Sequence, residues 1–170
     1  VNDGSPDTCP EICEDYAKKD NRIKVLHKEN GGLVSARKAG IKIAEGDYVF
    51  NLDSDDLIEN DILQSAYTII MDTNCEIVSF GRKWVKDGQT VKISDDCLNE
   101  GLYEGELLKE YIYPKILLDK YMHHISCYVT GKAIKKEFLM PFQSAVSNKI
   151  SLGEDLCCVV PCYINAKSIY

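Results

Sequence analysis

The strongest constraint on the fold of this chain is a run of β-forming residues that ends in an acidic cluster. Residues 48–52 (YVFNL) are typical of a short buried strand. Residues 53–56 (DSDD) follow directly, and residues 57–71 have the spacing of an amphipathic helix. The three carboxylates therefore lie at the carboxyl end of a strand, which is where open α/β sheets bind their ligands.

The acidic cluster also indicates a kind of chemistry. Carboxylates this close in sequence repel one another, so a cation is needed to make the arrangement tolerable. A hard divalent ion with oxygen ligands, shared with a substrate phosphate, meets that need. The cluster therefore predicts a metal-dependent enzyme that acts on a phosphorylated or nucleotide substrate.

Strand and helix patterns alternate through the first half of the chain. A turn at residues 4–7 leads into a helix that continues to about Lys19, with Pro10 near its first turn, where a missing N–H costs little. A strand is expected at residues 22–27 and a helix at residues 33–44, ahead of the acidic strand. Repeated β-α units with short loops predict an α/β fold, with a mostly parallel sheet covered by helices.

The second half adds further elements and shows no boundary between domains. Residues 104–118 are predicted to be helical, with an interruption at Pro114. Residues 129–139 are ambiguous and are interpreted as a helix. The whole chain, residues 1–170, is therefore interpreted as a single domain. The remaining predicted elements are a strand at 75–80, a hairpin at 84–93 around Asp87-Gly88, a bent helix at 153–165 and the start of a strand at 167–170.

Composition excludes some classes of function. With 20 basic and 27 acidic residues, the net charge is −7, which argues against nucleic acid as a partner. No apolar run approaches the roughly 18 residues that cross a bilayer. The first residues, VNDG, lack the basic and apolar parts of a signal peptide. They resemble the end of a strand that enters a turn, so we expect that the chain begins inside a domain.

The eight cysteines do not follow a disulfide or zinc pattern. No CxxC pair is present, and the three histidines lack zinc-finger spacing. Adjacent Cys157 and Cys158 are also poorly placed for a disulfide. We therefore predict reduced thiols that serve as small buried hydrophobes. The alternative is a structural metal at Cys9 and Cys13, which are spaced one helical turn apart.

Four short motifs in order resemble family 2 glycosyltransferases. They are residues 1–5 (VNDGS), 30–40 (NGGLVSARKAG), 52–56 (LDSDD) and 153–155 (GED). The resemblance covers nearly the whole chain and is strongest over residues 1–63. It implies the GT-A fold, which is Rossmann-like, and an inverting transfer from a nucleotide-diphosphate sugar.

The resemblance also divides the chain by role. It implies a nucleotide-sugar-binding half at residues 1–80 and a smaller acceptor-side half at residues 81–170. It further implies that the chain is a fragment of a longer enzyme, without the first strand of the nucleotide site and the C-terminal part.

The resemblance assigns roles on the donor side residue by residue. Asp3 matches the acidic residue that accepts a hydrogen bond from the nucleotide base, usually uracil. Arg37 matches a basic residue near the nucleotide, and Lys38 departs from the asparagine common beside it. Asp53 matches the first acid of a DxD motif, close to the donor ribose or sugar. Asp55 matches the second, which coordinates Mg²⁺ or Mn²⁺ at the diphosphate.

On the acceptor side, Asp155 matches the general base, and Glu154 matches a neighbour that tunes it. Such a base removes the proton of the attacking hydroxyl, while the metal stabilises charge on the leaving phosphate. His123 and His124 fall in the acceptor half, as structural or acceptor-contact residues. Lys132 is a candidate to face the acceptor or a phosphate.

Each motif also has an interpretation that needs no catalysis. Asp3 suits a turn before Gly4, and Arg37 suits a solvated charge on a helix. The acidic cluster at residues 53–56 suits the start of a helix, and so do residues 153–155. Two other functions also stay open. One is a catalytically inactive GT-A-like binding or scaffolding module. The other is a sugar nucleotidyltransferase, although the glycine-rich basic loop expected after its first strand is missing here.

Partners and setting follow from the resemblance alone. It implies a UDP-sugar donor, a glycan or lipid-linked acceptor and a role in surface polysaccharide synthesis. It places the enzyme in a reduced cytoplasm, at the inner face of the cell membrane and in peripheral association with it. The donor sugar, the linkage and the oligomeric state are not encoded in any motif that we recognise.

Overall fold

The computed structural model describes residues 1–94, 98–116 and 125–170. Cys97, His123 and His124 lie outside this described part. The strands in it are β1 (Tyr48–Phe50), β2 (Ile77–Ser79), β3 (Arg82–Lys86), β4 (Gln89–Ser94), β5 (Tyr103–Glu104), β6 (Lys132–Lys135) and β7 (Ser168–Ile169). The helices are α1 (Cys9–Lys19), α2 (Leu33–Ile43), α3 (Ile62–Thr73), α4 (Lys136–Ala145) and α5 (Glu154–Asn165). A π-helical turn (Leu108–Ile112) and a 3₁₀ turn (Tyr113–Lys115) lie at the end of the described range 98–116.

Within the described residues, five strands form one sheet in the order β1-β6-β2-β7-β5. Strand β6 runs antiparallel to both β1 and β2, whereas β2 and β7 are parallel. Strands β1, β2 and β7 therefore run in the same direction, and their carboxyl ends meet at one edge. The predicted α/β class with a helix-covered sheet is confirmed, and the sheet is mixed.

The prediction of a helix at residues 129–139 was wrong for residues before 136. Residues 132–135 form the strand β6, which pairs with β1 on one side and β2 on the other. Ala133 and Ile134 are both buried because the strand has helices on both faces. A four-residue strand covered on both faces shows no alternation of polar and apolar residues. Its sequence therefore does not distinguish it from the helix α4 that follows directly.

Other boundaries shift by smaller amounts. In place of the strand predicted at residues 22–27, a single parallel bridge joins Asn2 to His27. Helix α3 begins at Ile62 rather than Leu57. The hairpin around Asp87-Gly88 and the helix that begins after Gly153 are confirmed.

The core lies on both faces of the sheet. Ile77 and Ile134 point to the face that α2, α4 and α5 cover, whereas Val78 and Ala133 point to the face under α3. This alternation is the two-residue period of β-strands. The cysteines of the core are Cys75, Cys158 and Cys162, which are buried as predicted, whereas Cys9 and Cys157 are exposed and depart from that prediction.

Two lysines connect α2 and α4 by donating hydrogen bonds to carbonyl groups at the carboxyl ends of these helices. The Lys38 ammonium donates to the carbonyl of Val146, the C-cap residue of α4, at 2.5 Å. In return, Lys136 at the start of α4 donates to the carbonyl of Ala44, the C-cap residue of α2. A cation at the carboxyl end of a helix satisfies an otherwise unpaired carbonyl and complements the helix dipole. Lys38 therefore has a structural role.

We expect Lys38→Met to lower the free energy of unfolding by about 1–3 kcal/mol, because the partly buried Val146 carbonyl loses a charged donor. Urea unfolding followed by circular dichroism measures the loss. Lys42→Met, which changes an exposed lysine of the same helix, should leave stability nearly unchanged. Equal losses in the two variants would show that the bond to Val146 does not matter.

Candidate active site

The centre of the candidate site is Arg37, whose side chain is only 8% exposed. Its Nη1 lies 2.5 Å from Asp155 Oδ1 and 3.5 Å from Glu154 Oε1. Its Nη2 lies 3.2 Å and 3.4 Å from the two carboxylate oxygens of Asp53. One buried guanidinium thus joins three carboxylates from two distant parts of the described chain, so Arg37 is not a solvated charge.

The fold explains why these side chains meet. Arg37 faces the sheet from α2, and Asp53 follows β1 at the edge where the carboxyl ends of the parallel strands lie. Glu154 and Asp155 form the first turn of α5, where the helix dipole favours negative charge. Gly153 precedes them with φ of +81°, a conformation that side chains with a Cβ rarely adopt. The chain can therefore turn sharply and aim both acids at Arg37.

Asp155 is held through both of its oxygens. Oδ1 contacts Arg37, and Oδ2 accepts a hydrogen bond from the backbone N–H of Val129 at 3.3 Å. Burial raises the pKa of Asp155 above its ordinary value, with a further contribution from Glu154, although Arg37 and the Val129 amide act in the opposite direction. A carboxylate with a raised pKa is a stronger base, so Asp155 is better suited to accept a proton than an exposed aspartate.

Asp53 and Asp55, the two acids of the predicted DxD motif, lie in different surroundings. A turn in which the Asp56 N–H donates to the Asp53 carbonyl at 3.1 Å follows β1. Asp53 contacts Arg37, whereas Asp55 is exposed to solvent. Helix α3 begins only at Ile62. The acidic cluster therefore does not lie in the first turn of that helix, and helix capping does not explain it.

The chemistry of the DxD turn fits a hard cation that is shared with a ligand. In the part of the chain that the structure describes, no three His, Cys, Asp or Glu side chains gather into a metal site. Mg²⁺ commonly takes only one or two protein carboxylates and completes its shell with phosphate oxygens and water. The exposed carboxylate of Asp55 offers one such ligand, so the residues present fit an ion of this kind.

Asp3 holds the loop that leads into α2. Its Oδ2 accepts hydrogen bonds from the backbone N–H groups of Gly31 and Gly32, at 3.0 Å and 2.7 Å. Its Oδ1 accepts one from the ammonium of Lys28. Burial would raise the pKa of Asp3, but these hydrogen bonds outweigh it and hold the pKa below its ordinary value. Asp3 therefore stays ionised and connects the N-terminal segment to the helix that carries Arg37.

Lys28 and the Val129 amide are the site groups that sequence reasoning missed. Lys28 follows His27, which forms a β-bridge with Asn2, and this bridge brings Lys28 beside Asp3. The available sequence signal was a basic residue at the end of a predicted strand. The Val129 amide carried no signal, because a backbone N–H is not specific to any residue type. Lys132, a candidate for the acceptor surface, is buried in β6, with its ammonium 5.8 Å from the ring centroid of Tyr163.

Known proteins are similar in sequence to this chain. The model of the family "Glycosyl transferase family 2" matches residues 1–139. The minor teichoic acid biosynthesis protein GgaB of Bacillus subtilis (strain 168) is 33% identical over 157 residues, which cover 91% of this chain and 16% of GgaB. Glycosyltransferase GlyA of Streptococcus pneumoniae serotype 4 is 42% identical over 124 residues, which cover 65% of this chain and 18% of GlyA.

The fold matches a solved structure of the same kind. Residues 1–349 of S. aureus TarS, crystallised in complex with UDP, superimpose with a TM-score of 0.73 at 25% identity, covering 98% of this chain and 45% of that one. The chain thus spans less than half the length of these relatives. No helix in the described ranges is long and apolar enough to cross a membrane. With the family model matched over most of its length and the GT-A fold in place, this chain belongs to glycosyltransferase family 2.

Proposed function

We propose that this chain forms the donor-binding and catalytic part of an enzyme that transfers a sugar from a UDP-sugar to an acceptor hydroxyl with inversion. The observation that carries the proposal is the contact of Arg37 with both Asp53 and Asp155. The motif resemblance would place Asp53 at the donor and Asp155 at the acceptor proton. Because Arg37 contacts both carboxylates, the sugar donor and the acceptor hydroxyl would meet at one point at the sheet edge.

Asp3 would bind the nucleotide base. An ionised carboxylate offers about four lone-pair positions, and among the described residues three donors already occupy it, from Lys28, Gly31 and Gly32. A further position can accept an N–H from the base, as uracil would offer. Because the three donors also fix the orientation of the carboxylate, the base would bind without a loss of side-chain freedom.

Asp55 would hold Mg²⁺ or Mn²⁺ together with the diphosphate of the donor. When bound, such an ion stabilises the negative charge that develops on the leaving phosphate. Arg37 supplies a second positive charge at the same edge, and its fork of N–H groups suits phosphate oxygens as well as carboxylates.

Asp155 would accept the proton of the attacking hydroxyl. Its fixed orientation and raised pKa suit a general base. Proton removal and attack on the anomeric carbon would occur in one displacement, which inverts that carbon and needs no covalent intermediate. Glu154 lies beside Asp155 on Arg37 and contributes to the raised pKa of its neighbour.

The acceptor would be a glycan or a lipid-linked molecule of a surface polysaccharide pathway. The names of relatives support this class, since GgaB is a teichoic acid biosynthesis protein. Synthesis of this kind would place the enzyme at the inner face of the cell membrane.

Calorimetry of UDP binding tests the donor site. We expect Mn²⁺ to strengthen UDP binding by the chain, and Asp55→Ala to weaken the Mn²⁺-dependent binding at least about tenfold, because the ion loses its protein ligand. Asp72→Ala, which removes an exposed carboxylate of α3, should bind as the wild type does.

Two outcomes would count against this proposal. If the affinity for UDP changes neither with Mn²⁺ nor with the loss of the Asp55 carboxylate, the metal role of this residue is rejected. Binding of UDP-sugars without release of UDP, in the presence of cell-envelope glycan acceptors, would favour a binding or scaffolding module over an enzyme.

A further inference from the structure

The hairpin of β3 and β4 stands apart from the main sheet and exposes apolar side chains. Trp84, Val85, Val91 and Ile93 are 43%, 56%, 62% and 59% exposed. The hairpin forms its own two-stranded sheet, and isolated hairpins of this kind are marginally stable in water. Clustered exposed apolar residues mark surfaces that contact something else.

The charge of the hairpin is opposite to that of the chain. Residues 82–94 contain four basic residues and one acidic residue, in a chain of net charge −7. Lys86 lies next to the turn, and the Lys92 ammonium lies 4.9 Å from the ring centroid of Trp84. The outer part of the hairpin, residues 84–92, therefore combines a tryptophan, valines and two lysines.

The base of the hairpin is attached to the body of the protein. The Arg82 guanidinium lies 4.0 Å from the ring centroid of Tyr128 and donates to the Ser126 hydroxyl. Lys83 pairs with Glu59 at 2.7 Å. These contacts use the two basic residues at the base, so the outer part projects from a fixed foundation.

The arrangement of the exposed residues favours one kind of partner. In the strand register of the hairpin, Trp84 lies opposite Lys92 and Lys83 lies opposite Ile93. The register shifts between Trp84 and Val85, where Val91 of β4 is the extra residue. Consecutive residues of β3 still point to opposite faces, and Trp84 and Val85 are both exposed, so apolar surface is exposed on both faces. A folded protein partner would cover one face and leave the other in water. A lipid surface that the hairpin enters end-on covers both.

We propose that the outer part of the hairpin, residues 84–92, contacts an anionic phospholipid surface. Tryptophan and valine side chains suit the boundary between headgroups and acyl chains, and lysines suit anionic headgroups. The hairpin leaves the carboxyl end of β2, at the same sheet edge as Asp53, so this contact would hold the candidate site near the membrane. The binding itself does not depend on the proposed reaction.

The chain contains a single tryptophan, Trp84, so tryptophan emission, excited at a wavelength that tyrosine does not absorb, reports on this hairpin alone. The probes are vesicles of phosphatidylcholine, with and without phosphatidylglycerol. We expect the protein to sediment with the anionic vesicles only, with a blue shift of Trp84 emission that high salt reverses. Brominated lipids should quench the emission if the indole enters the bilayer boundary.

A charge-reversal pair tests the assignment to the hairpin. Lys86→Glu with Lys92→Glu should weaken co-sedimentation at least about tenfold, because two attractive charges become repulsive. Lys18→Glu with Lys19→Glu makes the same charge change on the exposed end of α1 and should weaken it far less. Circular dichroism checks that each variant is folded.

Several outcomes would overturn the proposal. One is protein that stays in the supernatant with anionic vesicles, or that binds neutral vesicles equally well. Another is equal weakening by the two charge-reversal pairs. A blue shift that depends on protein concentration without lipid, together with dimers in sedimentation velocity, would assign the hairpin to an interface between two copies of the chain.

Discussion

Arg37→Met is expected to lower the free energy of unfolding by about 3–5 kcal/mol, the range observed when one partner of a buried ion pair is removed. The variant leaves Glu154 and Asp155, each only 15% exposed, without the guanidinium that neutralises them. Urea unfolding at neutral pH measures the loss. Arg37→Lys should recover part of it, because lysine keeps the charge but not the planar fork of donors.

The pH dependence of this loss identifies its cause. Arg37 lowers the pKa of Asp155, so its removal should raise that pKa further. An acid whose folded pKa exceeds its unfolded pKa loses stability as pH rises from the unfolded value through the folded one. The defect should therefore be larger at neutral pH than near pH ~4, the ordinary carboxyl range.

An exposed arginine provides the matched control. Arg22→Met breaks the solvent-exposed pair with Asp20 and should change stability little at either pH. If Arg37→Met is as stable as the wild type at neutral pH, the buried cluster is not the structural centre of the site. A pH-independent loss would indicate lost packing rather than uncompensated charge.

Asp155→Asn is expected to reduce the rate of sugar transfer by about 10²–10⁴-fold, the usual contribution of a general base. Asparagine is nearly isosteric and can still accept a hydrogen bond from Arg37 or from the Val129 amide. UDP affinity should therefore change only slightly. Release of UDP from a UDP-sugar, in the presence of an acceptor, measures the rate.

The protonation of Asp155 adds a second readout. Because only the carboxylate accepts a proton, the wild-type rate should rise with pH as Asp155 ionises. The raised pKa moves this rise above the pH at which an ordinary aspartate ionises. The rise should vanish in Asp155→Asn.

Glu154→Gln distinguishes the two neighbouring acids. It removes the charge of the acid whose contact with Arg37 is the longer, at 3.5 Å, and should slow transfer much less than Asp155→Asn. A larger loss of transfer rate in Glu154→Gln than in Asp155→Asn would make Glu154 the base and Asp155 its neighbour. Full activity in Asp155→Asn would reject Asp155 as the base.

Several elements of the fold were predictable because their signals are local. The turn at Asp87-Gly88 and the helix after Gly153 depend on residues that tolerate positive φ or end a pattern sharply. The strand β6 was not predictable, because its pairing with β1 and β2 comes from residues about 55 to 85 positions away. The start of α3 was placed too early, because residues 57–61 continue its helical spacing without joining it.

The candidate site divides in the same way. Asp3, Arg37 and Asp53 were each identified from short motifs within residues 1–139, and the family match over that range confirms the resemblance on which they depended. Asp155 was identified in the same way, from a motif that lies beyond the matched range. Their individual roles stay predictions. The contacts of Asp3 with Lys28 and with two backbone amides could not be derived from sequence, because they join segments that the chain order separates.

By itself, the sequence determined the α/β class and the glycosyltransferase family, and it nominated the candidate acids, because residue type and spacing carry that information. Only the tertiary structure decided that Arg37 binds Asp53, Glu154 and Asp155 together, and that the Val129 amide orients Asp155. The physical reason is burial. A guanidinium excluded from water must pair with whatever charges the fold places around it, and those charges depend on how distant segments pack.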